Sequence, residues 1–163
     1  MYKKILVPLD GSDLAERAIW HAGEVAKGTN AEIILLHALY GPIPVGDDRF
    51  PRLSEKKFLE KVTRESSKYL DRIGAELRAK GHKVRAVIDG RPPADAILHV
   101  SDQEGADLIV MSTHGRSGLS RLVMGSTAES VLRATHRTIM LVKPERPAVA
   151  AQHQKEDRIA GSE

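Results

Sequence analysis

A chain of 163 residues without cysteine can bury one hydrophobic core, and it excludes disulfide scaffolds, thiolate chemistry and cysteine-based zinc sites. Its composition, 41% hydrophobic and 29% charged, is that of a globular domain, and no stretch has the roughly 18 apolar residues of a membrane span. The net charge of +3 comes from basic residues interleaved with acids, unlike the clustered basic face of nucleic-acid-binding proteins. Because the first residues have a strand pattern instead of a signal peptide, we expect a cytoplasmic protein that binds neither nucleic acid nor membrane.

The first third of the chain predicts two strands separated by a helix. Short apolar runs over 5–9 and 31–37 are typical of buried strands. Ser12 can cap the intervening helix, whose apolar face consists mainly of alanines, and we expect Gly28 to end it. This small face would let the helix lie close on a sheet. Prolines and glycines over 40–52 exclude regular structure and predict a long surface loop.

The remaining sequence continues the alternation of helices and strands. Helices are predicted over 54–80, 92–104 and 126–135, and strands over 84–88, 108–111 and 138–142. Five strands alternating with four helices predict an α/β fold, a five-stranded parallel sheet with helices on both faces. We expect one domain over 1–143 and a disordered tail over 144–163, where no apolar period is sustained.

The junction between the fourth strand and the last helix carries the clearest local signal for a ligand. Gly115 and Gly118 allow the backbone to approach a ligand closely, and Ser126 with Glu129 has the spacing of a capping box at a helix start. A helix start presents unpaired N–H groups that suit an anion, above all phosphate. The plainer alternative is that the glycines only shape the loop and that Ser126 is only a helix cap.

The end of the first strand offers a second candidate position. In open parallel sheets, ligands bind beyond the carboxyl ends of the strands, where the strand order reverses. If the first and fourth strands are neighbours there, Asp10 and the glycine loop would share one crevice. Asp10 could equally be a turn residue whose carboxylate accepts bonds from the next N–H groups.

Several enzyme and metal signatures are missing from the sequence. It contains neither a Walker motif nor a dinucleotide-binding G-x-G-x-x-G, and residues 115–118 do not have the spacing of a nucleophile elbow. The histidines lack paired metal-ligand spacing, so we expect no protein metal site. Without a general base beside the glycine loop, hydrolysis would be slow or assisted by a partner.

Five blocks of sequence spread over almost the whole predicted domain have a distinctive order and spacing. They are K-K-I-L-V-P-L-D-G-S at 3–12, L-L-H at 35–37, G-R-P-P-A-D-A-I at 90–97, A-D-L-I-V-M-S-T-H-G-R-S-G-L at 106–119 and G-S-T-A-E at 125–129. In these blocks the chain resembles the universal stress protein family. The family's ATP-binding branch has Gly, two residues, Gly, nine residues, then Gly followed by Ser or Thr. Gly115 and Gly125-Ser126 match this motif, whereas Ser112 stands at the first glycine.

This resemblance implies a Rossmann-like fold of the adenine nucleotide alpha hydrolase type. It also implies a regulator or switch that binds ATP or a related adenine nucleotide (ADP, AMP), with Mg²⁺ as the nucleotide's counter-ion. A homodimer through residues 138–142 and an unknown protein partner are further implications. By the resemblance, Pro8, Leu9, Asp10, Ala38 and Met111 would lie near the adenosine, and Ser112, His114, Gly115, Arg116, Gly125, Ser126 and Thr127 near the ribose and phosphates. A nucleotide-free dimeric interaction protein and a slow ATP-hydrolysing enzyme remain the alternatives.

Overall fold

The computed structural model describes residues 1–39, 55–113 and 124–143, within which five strands alternate with four helices. The strands are β1 (Lys4–Pro8), β2 (Glu32–Ala38), β3 (Lys83–Asp89), β4 (Leu108–Ser112) and β5 (Thr138–Val142). The helices are α1 (Asp13–Thr29), α2 (Glu55–Ala79), α3 (Pro93–Gln103) and α4 (Ser126–Ala134). The loop predicted over 40–52 and the tail predicted over 144–163 lie outside the described residues.

The strands form one parallel sheet in the order β3-β2-β1-β4-β5, which confirms the predicted fold class. The chain order reverses between β1 and β4, where Ile5 pairs with Leu108 and Leu6 with Ile109. The carboxyl ends of these two strands therefore lie side by side, as the candidate crevice requires.

Each face of the sheet is covered by two helices. On one face, side chains such as Ile33 and Leu35 pack with α1 and α2, and on the other, side chains such as Ile34 and Leu36 pack with α3 and α4. Because both faces are buried, the strands are nearly continuous apolar runs. The alanine face of α1 is buried as expected, at Ala15, Ala18, Ala22 and Ala26.

The predicted end of α1 at Gly28 is wrong. The helix runs to Thr29, and Asn30 then takes the left-handed conformation that stops it, with φ of 55°. Asparagine is one of the few residues besides glycine that visits this region routinely, because its short polar side chain can bond locally. The glycine is therefore part of the last turn, and the residue two positions later is the stop.

Replacing Asn30 by alanine is expected to lower the free energy of unfolding by about 1 kcal/mol, since a Cβ without a compensating polar group is strained at positive φ. Asn30→Gly is the matched control and should be as stable as the parent or slightly more so. Urea denaturation of the three proteins measures the difference. Equal midpoints for Asn30→Ala and the parent would contradict the assignment of Asn30 as the stop.

The amino-terminal edge of the sheet is held by a carboxylate. Asp107, just before β4, accepts hydrogen bonds through Oδ2 from the backbone N–H of Lys3 at 2.7 Å and of Lys4 at 2.9 Å. These two bonds hold the pKa of the Asp107 carboxyl below its usual value. The carboxylate thus joins the start of β1 to the start of β4, at the edge of the sheet opposite the candidate crevice.

Asp107→Asn is expected to cost about 1 kcal/mol of stability at neutral pH, because the bonds from Lys3 and Lys4 then end on a neutral oxygen. A lowered folded-state pKa contributes stability that is present above the unfolded pKa and is lost as the pH falls through the folded pKa. The difference between parent and variant should therefore shrink as the pH falls below about 4. Urea unfolding between pH 7 and pH 3 tests this, and a difference that stayed constant with pH would contradict it.

Candidate functional site

A cavity of about 340 Å³ opens at the carboxyl edge of the sheet, where β1 and β4 lie side by side. Its walls come from the ends of β1, β2 and β4 and from the starts of α1, α3 and α4. The lining residues are Pro8, Leu9, Asp10, Ala15, Leu36, His37, Ala38, Pro93, Ile97, Met111, Ser112, Thr113, Gly125, Ser126, Thr127 and Ala128.

Most of the residues predicted for the site meet in this one cavity. These are Pro8, Leu9, Asp10, Ala38, Met111, Ser112, Gly125, Ser126 and Thr127. His114, Gly115 and Arg116 lie outside the described residues. The structure therefore brings together the ends of β1, β2 and β4, which are far apart in the sequence.

Sequence reasoning missed one wall of the cavity. Pro93 and Ile97, one turn apart on α3, add an apolar surface beside Ala38 and Met111. Their four-residue spacing indicated a common helix face, but nothing local indicated that this face meets the cavity. His37, the last residue of the L-L-H block, also lines the cavity, and no local pattern indicated this position.

The predicted capping box at the start of α4 is wrong. The extended residue that precedes the helix is Gly125, with φ of −63° and ψ of 145°, and no side chain caps the helix there. Ser126 is already helical, so it is the first residue of the helix and not its cap. The Glu129 carboxylate instead accepts hydrogen bonds from Arg133. Helix capping therefore does not account for Ser126.

The first turn of α4 borders the cavity and contains backbone N–H groups that the helix does not use. The first helical bond runs from Glu129 N–H to the Gly125 carbonyl at 2.9 Å, so helix geometry leaves the N–H groups of Ser126, Thr127 and Ala128 without an intrahelical acceptor. All three residues line the cavity. Together with the positive end of the helix dipole, they form a surface that suits an anion.

A backbone hydrogen bond holds the entrance to α4 against the end of β4. Gly125 N–H donates to the Thr113 carbonyl at 2.8 Å, and Thr113 N–H donates to the Val142 carbonyl at 3.0 Å. The Gly125 amide is therefore used within the protein. An anion at this end of the cavity would therefore meet the N–H groups of the three residues that follow Gly125.

Ser112 does not distort the end of β4. It is the last residue of the strand and pairs with Val142 in the regular parallel register. Among the non-glycine residues that the structure describes, positive φ occurs only at Asn30. Serine therefore adopts the backbone conformation at this position without the strain that would demand glycine.

Asp10 shapes the turn between β1 and α1. Its Oδ1 accepts hydrogen bonds from the Ser12 N–H at 3.0 Å and from the Ser12 hydroxyl at 2.6 Å. The Ser12 Oγ in turn accepts a bond from Ala15 N–H at 3.2 Å and caps α1, as predicted. The turn interpretation of Asp10 is thus confirmed. Because Asp10 also lines the cavity, contact with a ligand stays a prediction that is compatible with the turn.

The cavity combines an apolar wall with a polar end. Ala38, Met111, Pro93 and Ile97 supply the wall, and the amides of α4 supply the end. Sites for small molecules commonly have this combination, in which apolar surface gives contact area and a few placed polar groups set the orientation. A ligand with a flat apolar part and a negatively charged part would fit the apolar wall and the polar end.

Within the described ranges 1–39, 55–113 and 124–143, no helix is long and apolar enough to span a membrane. In the same ranges, no group of three or more histidine, aspartate or glutamate side chains is placed to hold a metal ion.

The family model described as "Universal stress protein family" matches residues 1–143. Universal stress protein MJ0577 of Methanocaldococcus jannaschii is 31% identical over 155 residues, covering 88% of this chain and 96% of that protein. A universal stress protein of Thermus aquaticus is 34% identical over 146 residues, which cover 88% of this chain and 100% of that protein. The solved structure of MJ0577 superposes with a TM-score of 0.76, covering 90% of this chain and 99% of that one. A universal stress protein solved in complex with cAMP is 26% identical and superposes with a TM-score of 0.59. The match covers 86% of this chain and 96% of that one. The chain therefore belongs to the universal stress protein family.

Proposed function

We propose that this protein binds an adenine nucleotide, ATP in the first place, in the cavity between β1 and β4, and acts as a stress-response regulator or nucleotide-dependent switch. The observation that carries the proposal is that the three residues at the start of α4, whose N–H groups have no intrahelical acceptor, line a cavity with an apolar wall. A relative of the same family was solved with cAMP, which shares the adenine and the phosphate.

The two ends of the cavity suggest an orientation for the nucleotide. The phosphates would accept hydrogen bonds from the amides of Ser126, Thr127 and Ala128, and the adenine would lie against Ala38 and Met111. The ribose would then lie near Asp10. His114, Gly115 and Arg116 would complete the phosphate end. Mg²⁺ would enter with the phosphates and keep most of its water ligands.

The regular strand geometry of Ser112 supports this proposal. The departure from the glycine motif would weigh against nucleotide binding if the backbone there needed positive φ, and it does not. The serine adds a hydroxyl at the edge of the cavity, which can donate to or accept from a ribose or a phosphate.

As a switch, the protein would work by binding. A nucleotide that favours one arrangement of the residues around the phosphate end shifts the population toward that arrangement, by as much as its affinities for the two states differ. A partner that recognises the favoured arrangement would read out the bound state. Slow hydrolysis of ATP would reset such a switch and is the enzymatic variant of the proposal.

The second candidate function is a nucleotide-free dimeric interaction protein of the same fold. It is favoured by the edge strand β5, where Ile139, Met140 and Leu141 are only half-buried, and by the 43% exposure of Leu132 on the neighbouring α4. An open parallel edge with apolar neighbours can pair with a second copy. Light scattering after size exclusion tests the dimer, and it does so independently of nucleotide.

Mass spectrometry of small molecules released from the purified protein tests the proposed function directly. We expect ATP, ADP or AMP in the released fraction, and calorimetric titration of the emptied protein should show binding of ATP. GTP is the matched control, because it carries the same phosphates with a different base. A protein that releases no adenine nucleotide and binds neither ATP, ADP, AMP nor cAMP would overturn the proposal in favour of the second candidate.

A further inference from the structure

One wall of the cavity contacts a residue that lies outside the cavity. His37, near the end of β2, lines the cavity and is only 9% exposed. Its imidazole meets the ring of Tyr69 on α2 edge to face, with ring centroids 5.9 Å apart and an angle of 69° between the rings. Tyr69 is not among the lining residues. The edge-to-face contact is directional, so the position of the Tyr69 ring constrains the orientation of the imidazole.

Tyr69 is itself held by charged groups that join α2 to α1. The guanidinium carbon of Arg72 lies 5.7 Å from the centre of the Tyr69 ring. Arg72 also bonds Glu16 on α1, with 3.1 Å between Nη2 and Oε1. A continuous set of contacts therefore runs from the surface ion pair through Tyr69 to the cavity wall at His37.

The ring of Tyr69, and not its hydroxyl, makes the contact with His37. The hydroxyl oxygen is buried and has no partner at full hydrogen-bond geometry within the described part of the chain, although the Glu16 carboxylate lies close enough for a weaker hydrogen bond. Burial first, and then the negative charge of Glu16, raise the pKa of Tyr69, so the side chain stays neutral. Removing the hydroxyl should therefore leave the wall unchanged, whereas removing the ring should not.

We propose that Tyr69 is a positioning residue for the nucleotide cavity, which holds the His37 imidazole in place as a wall without touching the ligand itself. This inference rests on the proposed function for its effect on affinity. The structural part of the inference, that Tyr69 orients the His37 imidazole, does not depend on nucleotide binding. If it holds, a movement of α2 or a change at the pair Arg72–Glu16 alters nucleotide affinity from outside the cavity.

The test compares three variants by calorimetric titration with ATP. Tyr69→Leu is expected to bind about two- to tenfold more weakly, because binding must then order the His37 imidazole at a cost up to the energy of the lost aromatic pair. Tyr69→Phe should bind like the parent and melt at the same or a slightly higher temperature. Leu77→Ala is the control for general destabilisation, since Leu77 is buried in the same core cluster, two turns further along α2 and away from the cavity. It should melt lower and still bind like the parent.

An NMR measurement on the ligand-free protein separates this inference from the proposed function. The ring signals of His37 should shift or broaden in Tyr69→Leu and stay as in the parent in Tyr69→Phe and Leu77→Ala. Unchanged His37 signals in Tyr69→Leu would overturn the positioning role, whether or not ATP binds. Equal ATP affinity of Tyr69→Leu and the parent, or an equal loss in Leu77→Ala, would overturn it as well. A parent protein that binds no adenine nucleotide would instead overturn the proposed function.

Discussion

Thr127→Asp is expected to weaken ATP binding about a hundredfold while leaving the protein at least as stable as the parent. An aspartate in the first turn of α4 adds a negative charge where the phosphates would lie. At about 4 Å and an effective dielectric constant near 20, two like charges repel by about 4 kcal/mol, and counter-ions reduce this to about 3 kcal/mol. That repulsion corresponds to about a hundredfold loss of affinity.

The same charge is expected to raise the free energy of unfolding. A carboxylate near a helix N-terminus interacts favourably with the helix dipole and contributes about 0.3 to 1 kcal/mol. Affinity and stability therefore move in opposite directions, which ordinary damage to the fold would not produce. Calorimetric titration with ATP and urea denaturation measure the two quantities.

Thr127→Asn is the matched control, because it has nearly the size of aspartate without the charge. Its ATP affinity should stay close to that of the parent. If Thr127→Asp bound ATP as tightly as Thr127→Asn, the phosphates would not lie at the start of α4. The proposed orientation of the nucleotide would then be wrong.

Asp10→Ala is expected to lower both stability and affinity. Loss of the two bonds to Ser12 leaves the turn before α1 without its acceptor, at a cost of about 1 to 2 kcal/mol. If Asp10 also contacts the ribose, as proposed, ATP binding should weaken about tenfold or more, the effect of losing one hydrogen bond to a charged group. Denaturation and titration again measure the two effects separately.

Ser12→Ala separates the two roles of Asp10. It removes the cap of α1 and one of the bonds to Asp10, and should cost about 1 kcal/mol. The Asp10 carboxylate stays in place, so ATP affinity should change little. If Ser12→Ala weakened ATP binding as much as Asp10→Ala, the effect of Asp10 on affinity would come from the turn alone, and contact with the ribose would be contradicted.

Local sequence was sufficient for the elements themselves. Short apolar runs such as 108–111 are typical of strands buried on both faces of a covered sheet, and the alanines of α1 recur at the helical period. Ser12 was recognisable as a cap because capping involves only residues within one turn. Strands that alternate with helices favour parallel pairing, so the fold class followed from the order of the elements.

Two local predictions failed where competing residues of similar propensity lie close together. Gly28 and Asn30 can each end a helix, and Gly125 and Ser126 can each precede one. Which residue is used depends on where the helix axis must meet the sheet. The hydrogen bond from Gly125 N–H to Thr113 O, across the entrance to α4, is part of that constraint and has no local signature.

The sequence by itself predicted the strands, the helices and the start of the last helix, because each depends on residues a few positions apart, and the order of these elements then predicted the parallel sheet. Only the tertiary structure decided that β1 and β4 are neighbours, that Pro93 and Ile97 line the same cavity as Ala38, and that the Tyr69 ring lies against His37. Such contacts join residues tens of positions apart, and they arise from the packing of whole elements. A pattern within one segment carries no information about the side chain that another segment places against it.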